Sequence, residues 1–330
     1  MRDETPALAP APHTPVLYRE VLTHAAARPG EVWVDCTLGR GGHAEGLLGA
    51  GARLIGLDKD PEALSYCARR LAPFGDRFTP VRADFRELAP RLRALGVRAV
   101  DGVLADLGVS SPQLDEAARG FSFSASGPVD MRMDPARGPS AAELIATLDE
   151  LDLARALRDY GEEPLARPIA RALKAWAAAG GGDTLSLAAA VAAATPARVR
   201  HQLKKHPATR TFQALRILVN DELGALHDLL VAAPPLLAPG GRLLVISFHS
   251  LEDRALKVAF RALSEPPPPP RRGLPPPPSA LPAFEARPRR PVAPADDELA
   301  ANPRARSAQL RVLRRLPLDA APALNAAGAP

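Results

Sequence analysis

Residues 31–44, Glu31-Val32-Trp33-Val34-Asp35-Cys36-Thr37-Leu38-Gly39-Arg40-Gly41-Gly42-His43-Ala44, run from an apolar strand into a glycine-rich turn. Glycines there let the backbone approach a ligand, and a following helix presents unpaired N–H groups. A second strand, ARLIGLD (52–58), ends at Asp58, where a carboxylate can accept hydrogen bonds from both ribose hydroxyls of an adenosine moiety. Gly39, Gly41 and Ala44 also satisfy the dinucleotide fingerprint, so the loop alone suits NAD as well as S-adenosylmethionine (SAM). Asp35 and Thr37, ahead of the first glycine, favour SAM. They can face its cationic amino-acid end, whereas a carboxylate there would repel a pyrophosphate. Asp84 and Phe85, after the third strand, offer a polar and an aromatic group to adenine. The alternative is a plain strand–helix turn.

Outward from this stretch, strands alternate with helices. RFTPVRA (77–83) and AVDGVLADL (99–107) continue the strand series, and Asp60 with Pro61 opens a helix between the second and third. The pattern predicts a parallel, doubly wound α/β sheet. A fifth strand, GRLLVISF (241–248), returns only after a gap far too long for a βα connection, which predicts an inserted helical domain. Ser140 and Glu143 form a capping box there, and helices are expected over 151–160, 168–179 and 185–194. Phe212, Leu215, Val219, Leu223, Leu226 and Leu230 share one three- and four-residue spacing, read as one long helix leading back to the sheet. Thirteen of the 37 prolines fall in 266–294, an extended spacer, and SAQLRVLRRL (307–316) alternates like an edge strand.

Hydrophobic residues make up 46% of the 330 and charged residues 24%, which excludes overall disorder. No apolar run is long enough to span a membrane, and residues 1–12 lack the apolar core of a secretion signal. Two cysteines, Cys36 and Cys67, exclude a disulfide scaffold or a Cys-rich zinc site; the expected compartment is the cytoplasm, and no metal is expected. The net charge of +5 is unevenly distributed. Six Lys/Arg and no acid lie in 198–216, and ten Arg against five acids in 266–330; the remainder carries −6. Such concentration points to a polyanionic partner or, more plainly, to a solvated helix face and a loose tail.

Several blocks then occur in order: DCTLGRGGH (35–43), GLDKDPEAL (56–64), DLGVSSPQLD (106–115), RGFSF (119–123), DMRMD (130–134), HPATRTFQALRILVNDEL (206–223), GGRLLVISFHSLEDR (240–254) and NPRARSAQLRVLRR (302–315). Together, from His13 to Arg315, they resemble the RsmH (MraW) family of bacterial 16S rRNA cytosine-N4 methyltransferases. The resemblance implies a Rossmann-like class I SAM-dependent methyltransferase sheet with an inserted all-helical domain. It implies SAM contacts at Gly41, Gly42, His43, Asp58, Phe85, Asp106 and Gln113, beside Gly39 and Asp35 of the loop. It also implies a substrate, a cytosine of the decoding region within the ribosomal P site, and the small subunit as partner. The expected organisation is a methyltransferase domain (13–111, 207–265 and 302–317), a helical substrate-recognition insertion (112–206), a Pro/Arg-rich linker (266–301) and disordered tails (1–12 and 318–330).

Direct methyl transfer needs alignment and exclusion of water rather than an acid. Neither Cys36 nor Cys67 lies at the end of the fourth strand, which disfavours the covalent route to cytosine C5 and leaves the exocyclic amine. Asp106, Ser110 and Ser111 are candidate acceptors for its N–H bonds, with Asp130 and Asp134 as remoter ones. Phe121, Phe123, Met131 and Met133 pack against an extruded base or belong to the insertion's core. Arg198, Arg200, Lys204, Lys205, His206, Arg210 and Arg216 are candidate RNA contacts. His249, Glu252 and Asp253 lack the glycine-flanked nucleophile of a hydrolase. Two rivals remain: a catalytically inactive RNA-binding ribosome assembly factor, and an NAD-dependent oxidoreductase. The oligomeric state is open, a homodimer included.

Overall fold

The structure is a computed structural model and describes residues 14–266 and 282–317. The two tails and residues 267–281 of the expected linker lie outside the described residues. Among those described, seven strands form one sheet: β1 (Val32–Asp35), β2 (Arg53–Asp58), β3 (Phe78–Arg82), β4 (Val100–Asp106), β5 (Leu237–Ser247), β6 (Phe284–Ala286) and β7 (Gln309–Arg315). Their order is β3-β2-β1-β4-β5-β7-β6. Strands β1 to β5 pair in parallel, and β7 runs antiparallel to both β5 and β6. The order reverses between β1 and β4, so the ligand crevice is expected at their carboxyl ends. At that junction Trp33 is fully buried across Gly102, where a Cβ would come within 2.4 Å of the indole; only glycine fits.

Helices α1 (Tyr18–Ala25), α2 (Gly42–Gly49), α3 (Pro61–Arg70) and α4 (Leu88–Ala94) accompany the first strands. As expected, Asp60 caps α3, accepting from the Glu62 N–H at 3.0 Å. The connection from β4 to β5 contains α5 (Ser111–Asp115), α6 (Ala141–Thr147), α7 (Glu150–Gly161), α8 (Ala166–Ala178), α9 (Thr184–Ala194), α10 (Ala197–Arg200), α11 (Ala208–Asn220) and α12 (Glu222–Leu236). Ser140 and Glu143 close the capping box on α6. Helices α13 (Ser250–Ser264) and α14 (Asp296–Ala301) follow β5 and β6. No helix among the described residues is long and apolar enough to cross a membrane.

Three expectations change. The single helix over 212–230 is two, α11 and α12, broken at Asp221 in the left-handed region (φ 45°). The break sends Phe212 and Leu215 into the core of the insertion, with Ile145, Leu157 and Leu173, while Leu226 and Leu230 join the sheet core. Helix α11 therefore packs with the insertion, beyond the expected boundary at 206. The strand at 309–315 is not the edge, because Phe284–Ala286 covers it. Finally, part of the expected linker is ordered: α14 docks on α1, where Glu298 Oε1 accepts the Leu17 N–H at 2.7 Å and Asp297 pairs with Arg19.

Candidate active site

A cleft of about 470 Å³ opens at the carboxyl ends of β1, β2, β4 and β5. Its first wall is the loop after β1. Gly41 takes φ +72°, and its N–H donates to Leu38 O at 2.7 Å, closing the turn that begins α2. Gly41 itself does not line the cleft; a Cβ there would stand 2.9 Å from Cys67 Sγ, so its requirement is conformational and steric. Gly39 and Gly42 do line it. Asp58 holds the loop down, with Oδ2 accepting the Gly39 N–H at 2.8 Å and Oδ1 the Asp60 N–H at 2.9 Å. Each oxygen keeps a second lone pair for a ligand hydroxyl. Burial raises the Asp58 carboxyl above the usual range, against the pull of those two N–H groups.

Asp35 was expected to face the cofactor's amino-acid end. It lies instead beneath the loop, 2% exposed and outside the cleft lining, with Oδ1 accepting the Thr37 N–H at 3.0 Å. Burial, and secondarily the charge of Asp58, push its carboxyl up to about 7 despite hydrogen bonds from Thr37. Thr37 reaches the cleft, and its hydroxyl accepts the Asp106 N–H at 2.6 Å, tying β1 to β4.

Asp106 lines the cleft at the end of β4. Its Oδ1 is buried without a hydrogen-bond partner, and Oδ2 lies 3.8 Å from His43 Nδ1. Burial first, then repulsion from Asp35 and Glu252, raise its carboxyl well above the ordinary range. The His43 Nε2 lies 3.0 Å from Val16 O, a carbonyl that can only accept, so this nitrogen carries the proton. Burial lowers the ring's pKa to about 4, leaving it neutral at physiological pH. Phe85 lines the cleft on a short turn capped by Asp84, which accepts the Arg86 N–H at 3.1 Å.

Ser110, Ser111 and Gln113 line the cleft at the start of α5. Gln113 is largely engaged by the protein: Oε1 accepts the Ser110 N–H at 3.0 Å, and Nε2 donates to Asp60 Oδ2 at 3.2 Å. Through these bonds it orders the loop while lining the cleft. Phe121, Met131 and Met133 are buried in the insertion's core, and of these Met133 also meets the cleft. Phe123 is partly buried against the rings of His206 and Phe212.

The basic stretch divides. Arg198, Arg200, Lys204, Lys205, His206 and Arg210 are exposed, and Lys205 lines the cleft mouth. Arg216 is corrected: it turns inward, and its guanidinium forks onto both oxygens of Glu222 at 2.7 and 2.8 Å. The acid that compensates it lies six residues on, across the helix break. Glu222, His249 and Glu252, none of them expected at the site, line the same wall. Their ligand-type atoms lie within 4.8 Å of one another, and the positive charge among them is that of Arg216. Asn302, Arg304 and Ser307 complete the rim, with Arg304 paired to Asp115.

The carboxylates of the first wall suit a cation. The sulfonium and ammonium of SAM meet that requirement, and the buried Asp106 Oδ1 has an acceptor position to offer. A pyrophosphate would gain nothing from these acids, which disfavours the oxidoreductase alternative. Cys36 and Cys67 are buried; burial raises the first thiol well above its usual value and the second to about 12, so neither is poised as a nucleophile.

Residues 10–316 match the MraW methylase family. The chain is 54% identical over 306 residues to a protein of Anaeromyxobacter sp. (strain K) named ribosomal RNA small subunit methyltransferase H, covering 92% of this chain and 98% of the relative. A protein of the same name from Carboxydothermus hydrogenoformans is 47% identical with the same coverage. Among solved structures, an rRNA methylase from Streptococcus thermophilus aligns over 92% of this chain and 98% of its own, at TM-score 0.40 and 13% identity. The chain belongs to the MraW methylase family and is a SAM-dependent methyltransferase.

Proposed function

We propose that this enzyme methylates 16S rRNA of the small ribosomal subunit, at the exocyclic N4 amine of a cytosine in the decoding region. The observation that carries the reading is the pairing of a cleft lined by Asp58 and Asp106 with an exposed basic stretch, Arg198 to Arg210, whose Lys205 lines the same cleft. Relatives at 54% and 47% identity carry the name of a small-subunit rRNA methyltransferase. Gly39, Gly42 and Thr37 would hold the amino-acid end of SAM, Asp58 the ribose and Phe85 the adenine. Bound SAM supplies an electrophilic methyl group.

The protein's own groups do the rest. Asp106 accepts an N–H of the amine, which turns its lone pair out of conjugation with the ring; Ser110 and Ser111 lie beside it for the base edge. Residues 112–206 with α11 form the substrate-recognition unit, and the basic stretch takes RNA phosphates. An amine target requires no thiolate, in keeping with the raised Cys36 and Cys67. An rRNA substrate sets the work in the cytoplasm.

Nucleoside mass spectrometry of rRNA from subunits treated with the enzyme and labelled SAM tests the reading. N4-methylated cytidine at one decoding-region position is the expected product. Label on C5, or in another rRNA, would overturn it, and SAM-independent RNA binding without product would favour an inactive assembly factor.

A further inference from the structure

The wall opposite the glycine loop contains a histidine that the methyl-transfer reading leaves without work. Strand β5 lies beside β4 with Ile246 opposite Asp106, and Leu107 donates to Ile246 O at 3.0 Å. The chain leaves β5 at Ser247, so His249 stands just beyond the strand end adjacent to Asp106. Its side chain is 9% exposed and lines the cleft. Neither ring nitrogen has an aligned hydrogen-bond partner among the described residues.

The ring is nonetheless oriented. Nε2 lies 3.3 Å from Glu252 Oε1, while Glu252 Oε2 accepts the Phe248 N–H at 2.8 Å. A carboxylate at that distance favours the proton on Nε2 and leaves Nδ1 as the acceptor. Glu252 is 2% exposed. Burial alone would raise its carboxyl, but His249, Arg216 and the Phe248 N–H outweigh this and hold it below its usual value. Arg216 in turn is fixed by its fork onto Glu222. The set is a buried histidine backed by an anion, with that anion kept ionised by a guanidinium.

We propose that His249 is the proton acceptor for the substrate amine, with Glu252 as its positioning residue. The inference rests on the proposed transfer to an exocyclic amine. Such an amine has two N–H bonds, and the ends of β4 and β5 supply two acceptors, Asp106 and His249. In the transfer the N4–C bond forms as the sulfonium S–C bond breaks, leaving a neutral thioether and a cationic N4 with two hydrogens. One N–H bond then breaks; its electron pair stays on N4 and its proton passes to His249. The imidazolium is stabilised by Glu252 and loses the proton to water on product release.

Single-turnover methyl transfer from labelled SAM to small subunits tests this in the full chain. His249→Ala should lower the transfer rate about 10²–10⁴-fold with SAM affinity unchanged, and added imidazole should restore part of it. His249→Gln keeps a hydrogen-bonding group of similar size but cannot take a proton, so it should bind subunits normally and remain slow. It also carries the test if the alanine variant does not fold. A wild-type rate in either variant, or full activity in His249→Gln, would overturn the proposal. Failure of the underlying reading shows differently: the unmodified chain would then form no N4-methylcytidine at all.

Discussion

The two walls of the cleft solve the same electrostatic problem in opposite ways. On the wall of β1 and β2 stand Asp35 and Asp58, with Asp106 of β4 beside them; burial outweighs the pull of Lys59 on Asp58, and all three carboxyls are raised. On the wall of α11, α12 and β5, Glu252 is buried too, yet His249 and then Arg216 hold its carboxyl below the usual range, and Arg216 also forks onto Glu222. A positive ligand would lower the carboxyls of the first wall toward their usual range. The second draws its cation, Arg216, from the chain itself, and His249 lines the cleft beside it. A buried charge with no partner in its own chain is thus the more direct pointer to a ligand.

Four perturbations separate these walls. Arg216→Ala should have the largest effect, because it leaves Glu222 and Glu252 buried without their cation; denaturant unfolding should show a loss of about 3–5 kcal/mol. A loss under about 1 kcal/mol would mean that water already compensates them. Asp35→Asn should act oppositely. With a folded pKa of about 7, above that of the unfolded chain, protonated Asp35 stabilises the protein at low pH, and that stability is lost as pH rises through about 7. The neutral variant should therefore gain roughly 2–4 kcal/mol over wild type near pH ~8 and almost nothing near pH ~4. A gain independent of pH would contradict the assignment.

Smaller effects follow at the ligand contacts. Asp58→Ala should weaken SAM binding by about 1–3 kcal/mol in calorimetry, the cost of unpaired ribose hydroxyls; unchanged affinity in a folded variant removes Asp58 from the site. Replacing both Lys204 and Lys205 by alanine should leave SAM affinity unaltered and reduce the salt slope of RNA binding by about 0.7–0.9 per lost phosphate contact. An unaltered slope would assign these lysines to a merely solvated surface.

What the sequence made legible was local. Asp35, Asp58 and Asp106 mark strand ends because apolar runs stop there. Contacts between segments far apart in the chain left weaker traces. The apolar spacing runs unbroken through Asp221, so nothing in it shows that Arg216 turns inward to meet Glu222. The capping box of Ser110 with Gln113 was legible in their three-residue spacing. Phe284–Ala286 is a three-residue strand beside a proline-rich segment, too short for any periodicity, and it displaced β7 from the sheet edge. His249 and Glu252 were visible as residues, but their relation to Asp106 depends on β5 lying next to β4.

Calorimetric titration of SAM from pH ~5.5 to ~7.5, either side of the Asp35 value of about 7, tests most directly whether the first wall takes a cation. A bound cation lowers the carboxyl pKa values, so binding should release protons, seen as heats that depend on the buffer's ionisation enthalpy, and affinity should rise across the range. Flat affinity with no proton release would contradict the account.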